Sequence, residues 1–225
     1  MAASLWKGLV VGVFAAFALV GCATEVPDED VDDGESVGTT DDELRSSPLD
    51  DKDMVEIPKP EGMPDAWKQP KSTGRFEQGG KCGPTALANM LRLHDIELSP
   101  EEADKAGVRW VVGTLQWQID SYLKRNHREL GCRTSYPWNG AKALRNEIAA
   151  GRPVMVWYNT DGALTSHWVV AVGIRGSGSN EKVIVMSWGK YYEIPMKKLD
   201  DASKWVYGLR HPTVICSATT DNVVR

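Results

Sequence analysis

Gln78-Gly79-Gly80-Lys81-Cys82-Gly83-Pro84-Thr85 is the stretch on which the reading of this 225-residue chain turns. Behind it, Leu87, Met90, Leu91 and His94 recur at helical spacing. That spacing predicts a helix over Pro84–His94, with proline in a first turn where its missing N–H is not needed. Cys82 then stands at a helix mouth, where unpaired N–H groups and the helix dipole favour a thiolate. Lys81 adds positive charge beside it, and the flanking glycines let a substrate backbone come close. Gln78 offers a side-chain amide that can join the Cys82 N–H as a pair of oxyanion donors. Cys82 is the candidate nucleophile and Gln78 the candidate oxyanion donor.

A thiol nucleophile needs a group that takes its proton and returns it to the leaving group. There are four histidines. His167 opens the apolar run His167–Ile174, and a strand end is a rigid mount beside a cleft. His94 falls late in the first helix, His127 in a polar run and His211 before Pro212, so these three read as structural or surface residues.

The remaining pattern places these two groups in one fold. Ser99-Pro100-Glu101-Glu102 has the form of a capping box opening a short helix. Leu115, Ile119, Tyr122 and Leu123 lie on one face of a helix over Thr114–Arg125, and Asn139 caps another over Gly140–Ala150, stopped by Gly151. From Pro153 the pattern switches to short apolar runs at 153–158, 167–174, 183–187 and 191–194, with a turn at 176–180. Helices first and antiparallel strands second give an α+β domain. Trp67, Trp110, Trp117, Trp138, Trp157 and Trp205 are expected in its core.

The N-terminus reads as an address. Lys7 precedes an uncharged, mostly apolar run of 14 residues, Gly8 to Gly21, too short to span a membrane and suited to a signal peptide. It ends in Leu19-Val20-Gly21-Cys22, which looks like a bacterial lipobox with Cys22 as the acylated residue. The stretch from Ala23 to Pro58 is strongly acidic and poor in large apolar residues, as a disordered tether would be. The same acid also suits a propeptide that shields a basic cleft. The expected organisation is a lipoprotein signal peptide at 1–21, an acidic tether at 22–58 and one domain at 59–225. The expected location is the bacterial cell envelope, lipid-anchored, at the outer membrane or secreted.

Net charge is −5, with no long basic block, so nucleic acid is not an expected partner. Four cysteines without a CxxC pair argue against structural zinc, and nothing indicates a cofactor. Outside the cytoplasm disulfides persist. With Cys22 assigned to lipid and Cys82 to chemistry, Cys132 and Cys216 are expected to pair.

Taken together, Cys82-Gly83-Pro84-Thr85 before a helix, Gly151-Arg152-Pro153 leading a strand and His167 opening a V-x-V strand resemble papain-like cysteine peptidases. The nearest type is the bacteriocin-processing one, which cuts after double-glycine leaders, with its secreted relatives. The resemblance implies N-terminal helices carrying the nucleophile, packed on a C-terminal antiparallel sheet carrying the histidine. It implies Cys82 as nucleophile, His167 as base and Gln78 as oxyanion donor, acting on a peptide or protein. Two departures stand out. Only three residues separate Gln78 from Cys82, where five are common. Met186-Ser187-Trp188-Gly189 puts Met186 where the family carries Asn or Asp, and a thioether is a poor acceptor for an imidazole N–H. Trp188 matches the family's shielding tryptophan. Ser187 is the nearest polar candidate for orienting His167, with Asn159 and Asp161 as loop alternatives. On this reading Met186→Asn should raise turnover.

Three activities compete. The first is a thiol hydrolase that cleaves peptide or amide bonds through a thioester. The Asp-Cys-Ser motif usual in cell-wall amidases of similar Cys-then-His order is absent. The second is a catalytically retired domain that keeps the cleft to bind a peptide or protein, motivated by Met186. The third is acyl transfer by the same Cys and His.

Overall fold

A computed structural model describes residues 47–70, 81–108, 113–160 and 166–224. Seven strands form one sheet in the order β1-β6-β5-β4-β3-β7-β2. They are β1 Val55–Ile57, β2 Arg133–Ser135, β3 Val154–Asn159, β4 Ser166–Arg175, β5 Lys182–Ser187, β6 Lys190–Pro195 and β7 Thr213–Ile215. Every neighbouring pair is antiparallel. The central strands β3, β4 and β5 are buried almost throughout, which is why they read as continuous Val/Ile-rich runs rather than alternating ones.

Both faces of the sheet are covered. On one lie α1 Cys82–Arg92, α2 Pro100–Ala103 and α3 Gln116–Asn126; on the other lie α4 Gly140–Ala149 and α5 Met196–Ser203. Strand alternation sorts side chains between the two cores. Trp168, Val170 and Val172 of β4 join the cluster under α1, while Val169 and Ala171 join Leu144, Ile148 and Leu199 beneath α4 and α5. All but one residue of α1 is buried; a helix apolar on nearly every side belongs at the centre of a domain.

Local chemistry sets the helix ends. The Ser99 hydroxyl accepts from the Glu102 N–H at 3.2 Å while the Glu102 carboxylate accepts from the Ser99 N–H at 2.8 Å. The Asn139 side chain accepts from the Lys142 N–H at 2.8 Å. Gly151, at φ 73°, supplies the left-handed residue that ends α4.

The structured chain begins earlier than the boundary at residue 58 expected from composition. Leu49 and Met54 are buried, Val55–Ile57 pairs with β6, and the Leu49 N–H donates to the Asn159 carbonyl at 2.9 Å. Charge density masked two apolar anchors and one alternating triplet. The signal and lipobox readings, with Cys22, lie outside the described residues. No helix among the described residues is long and apolar enough to cross a membrane.

Cys132 and Cys216 form a disulfide across 84 positions. It ties the entry of β2 to the exit of β7, the two strands that pair at one sheet edge. In the chain-entropy account, closing a loop of that length contributes about 4–5 kcal/mol.

Candidate active site

Cys82 is the first residue of α1. Pro84 has no N–H, and the first turn closes with the Thr85 N–H donating to the Lys81 carbonyl at 3.1 Å. The N–H groups of Cys82 and Gly83 are therefore left facing the sulfur, and both favour its ionised form. So does a third, the backbone N–H of Trp168. That group comes from β4, one residue beyond His167. The helix mouth thus abuts the start of the strand that carries the candidate base.

Glycine at 83 has a steric reason. A Cβ there would lie 2.2 Å from the Cβ of Thr114. Thr114 is buried, and its carbonyl accepts from the Trp168 indole at 3.0 Å. The segment before α3 is thereby clamped over both the helix mouth and Trp168. Trp168 in turn stacks on its cross-strand partner Trp157, with centroids 5.3 Å apart and planes 8° from parallel.

His167 is held on three sides. Its Nε2 lies 2.8 Å from the Ser187 hydroxyl. The Trp188 ring stacks on it at 4.3 Å, and Tyr158, its cross-strand partner, meets it edge-on at 5.8 Å. Trp188 and Gly189 are the two central residues of the tight β5–β6 turn, with φ of 47° and 82°. A two-residue hairpin of this kind needs positive φ at both positions. Tryptophan is a costly residue there, and its stack on His167 accounts for its presence.

Met186 is fully buried in the cluster that contains Cys82 and Trp168. Ser187, one residue on, points to the opposite face and reaches the imidazole. Of the alternatives, Asn159 is engaged elsewhere, its amide donating to the Trp205 carbonyl at 2.8 Å. Gln78 and Asp161 lie outside the described residues. The other histidines occupy other places. His94 follows the far end of α1, about 18 Å along the axis from Cys82. His127 pairs with Glu129 after α3. His211 sits against Ser203 and Asp200 below the start of α4.

Burial bears on the charge of both groups. Cys82 and His167 are 8% and 7% exposed. Desolvation pushes the Cys82 thiol up against the three N–H groups, and it pushes His167 down to about 3. Loss of water therefore works against the expected thiolate and against a charged imidazole, opposing the helix end. Among the described residues, no group of His, Cys, Asp and Glu gathers as metal ligands would.

Sequence pattern did not reveal the Trp157–Trp168 stack or the Thr114 clamp, since both are pairings across the fold. It also put Trp117 and Trp138 in the core, whereas they are 55% and 79% exposed.

A cysteine opens the central helix and a histidine stands near the head of the neighbouring antiparallel strand, on a fold of helices packed against one sheet. The chain belongs to the Peptidase_C39 like family, whose profile matches residues 67–207, a family of papain-like cysteine peptidases. That span runs from before Cys82 to beyond Trp188 and includes Gln78, Cys82, His167, Met186 and Ser187. No curated protein matches the chain.

Proposed function

We propose that the protein is a thiol peptidase in which Cys82 is the nucleophile and His167 the base. The observation that supports this reading is the Trp168 backbone N–H at the Cys82 sulfur, one residue along the chain from His167. In this account the Ser187 hydroxyl accepts from the Nε2–H of His167, which leaves the lone pair on Nδ1 as the base for the Cys82 proton. Sulfur attacks the peptide carbonyl, its proton passes to His167, and the C–N bond breaks as His167 protonates the leaving amine. Water then attacks the thioester as His167 takes its proton, and the C–S bond breaks as that proton returns to the Cys82 sulfur. The Cys82 N–H, joined by Gln78, steadies the oxyanion.

In this account Ser187 fills the orienting role that Asn or Asp has in the family, and Met186 is a packing residue. Incubation of the full chain with peptide mixtures, read by mass spectrometry, tests the reading. Cleavage is expected from the wild type and from neither Cys82→Ala nor His167→Ala. Equal cleavage by Cys82→Ala would overturn it.

The retired-domain reading draws on one observation, Met186 standing where the family carries Asn or Asp. Peptide binding without any cleavage would favour it. The bacteriocin-processing subtype rests on resemblance alone. Lipid attachment at Cys22 in the cell envelope rests on the Leu19-Val20-Gly21-Cys22 string. Labelled palmitate incorporated by the wild type and lost in Cys22→Ser is the expected result.

A further inference from the structure

We propose that Trp138, Trp205, Tyr207 and Arg210 form a substrate subsite beside the candidate active site, one that takes a peptide segment in which an acidic side chain adjoins an aromatic one. The proposal rests on the peptidase reading above.

The surface is built rather than incidental. The Arg210 guanidinium carbon lies over Trp138, 3.7 Å from the ring centroid, and 5.6 Å from the centroid of Trp205. Its Nε donates to the Trp138 carbonyl at 3.1 Å, so the fork is held in place before any ligand arrives. Arg92, Arg145, Arg152 and Arg175 each pair with a glutamate. Among the described residues, Arg210 pairs with no carboxylate. A pre-positioned guanidinium on an aromatic face is suited to a carboxylate.

Beside it two aromatic residues are exposed to solvent. Trp138 is 79% exposed and Tyr207 is 59% exposed. Tyr207 has φ 49° and Gly208 φ 79°, in a tight turn whose flanking Val206 and Leu209 exchange two hydrogen bonds of 2.9 Å. Tyrosine is as costly there as Trp188 is in its own turn. Two aromatic residues thus sit in left-handed turn positions, one on His167 and one on Trp157. Strained positions of this kind persist where function holds them.

A chain of contacts links this surface to the start of β4. Tyr207 packs on Trp157 at 5.3 Å. The Trp157 indole donates to the Ser166 hydroxyl at 2.9 Å, one residue before His167. The Trp205 carbonyl is fixed by Asn159, which pairs with Ser166. A peptide lying across Cys82 would reach this surface with its neighbouring side chains. The cation selects acid and the rings select another ring.

The test uses the full chain carrying Cys82→Ala, titrated calorimetrically with three short peptides containing Glu-Phe, Gln-Phe or Glu-Ala. The Glu-Phe peptide should bind tightest and weaken with added salt. Arg210→Gln should weaken it at least about tenfold, the order given by a lost charge-assisted hydrogen bond, and should erase the preference for Glu over Gln. Arg210→Lys keeps the charge and should keep the salt dependence, while Trp138→Ala should weaken both phenylalanine peptides. Equal affinity for the Glu and Gln peptides, or unchanged affinity in an Arg210→Gln protein with wild-type melting temperature, would overturn the subsite. Binding as expected without cleavage by the Cys82 protein would leave the subsite standing and remove the peptidase reading. Cleavage without acid preference would do the reverse.

Discussion

At the scale of single residues the site turns on which atom faces His167. The Ser187 hydroxyl meets Nε2 at 2.8 Å, and a histidine whose orienting partner is lost spends time in the wrong tautomer. Ser187→Ala is expected to lower kcat by about tenfold or more with little change in KM, because the hydroxyl acts through the imidazole and not on the substrate. Steady-state kinetics on a cleaved peptide checks this; a rise in KM alone would contradict it. Met186 points into the core with no exposure, so Met186→Asn is now expected to bury an unpartnered amide. It should cost about 1–3 kcal/mol by urea denaturation, and it should not raise turnover as the motif comparison suggested. His167 adds a pH dependence. Burial holds it down near about 3, below the ordinary value of about 6.5. The unfolded chain therefore takes up a proton that the native state refuses. The contribution of His167 is full above about pH 6.5 and is lost as pH falls toward the folded value. Between about pH 7 and pH 4.5, wild type should lose more stability than His167→Gln. Equal losses would show that the ring is solvated.

At the scale of elements, α1 is positioned by its neighbours more than by its own propensity. Gly83 admits Thr114, and Thr114 holds Trp168. Gly83→Ala is expected to cost about 1–3 kcal/mol through overpacking, read as a lowered melting temperature, and a second change, Thr114→Gly, should restore part of it. An unaltered melting temperature in Gly83→Ala would mean that the loop moves aside freely. The β5–β6 and 206–209 turns follow one logic, an aromatic residue at positive φ followed by glycine. The sequence shows Trp188-Gly189 and Tyr207-Gly208 as ordinary dipeptides. What they do depends on the ring each one lies against.

At the scale of the whole molecule, the segment 47–57 belongs to the fold. It closes one sheet edge as β1, buries Leu49 and Met54, and passes Tyr158, whose hydroxyl meets the Met54 sulfur at 3.6 Å. A chain starting at Lys59 should be less stable than one starting at Ser47 by about 3–5 kcal/mol, the worth of two buried apolar side chains. Urea titration of the two chains decides this. Equal stability would restore the boundary at residue 58.

By itself the sequence determined the local structure. The helices opening near Pro84, Pro100, Thr114 and Gly140, and the strands near 153, 167, 183 and 191, were legible because hydrophobic period and end-capping residues are local properties. The positions of Cys82 and His167 at the mouths of their elements were legible for the same reason. Three short strands escaped: triplets such as Arg133–Ser135 and Thr213–Ile215 carry too few residues to show a period, and only pairing across the chain makes them strands. The helix Met196–Ser203 escaped because it follows a strand without a break, with Pro195 as its only punctuation. Tertiary structure alone decided that Ser187 and not Met186 faces the imidazole. Adjacent strand residues point to opposite faces, and which face meets His167 is set by the register of β4 and β5. It also set the burial that works against charge on Cys82 and His167, since the cost of losing water depends on everything packed around a group and leaves no mark in the order of residues beside it.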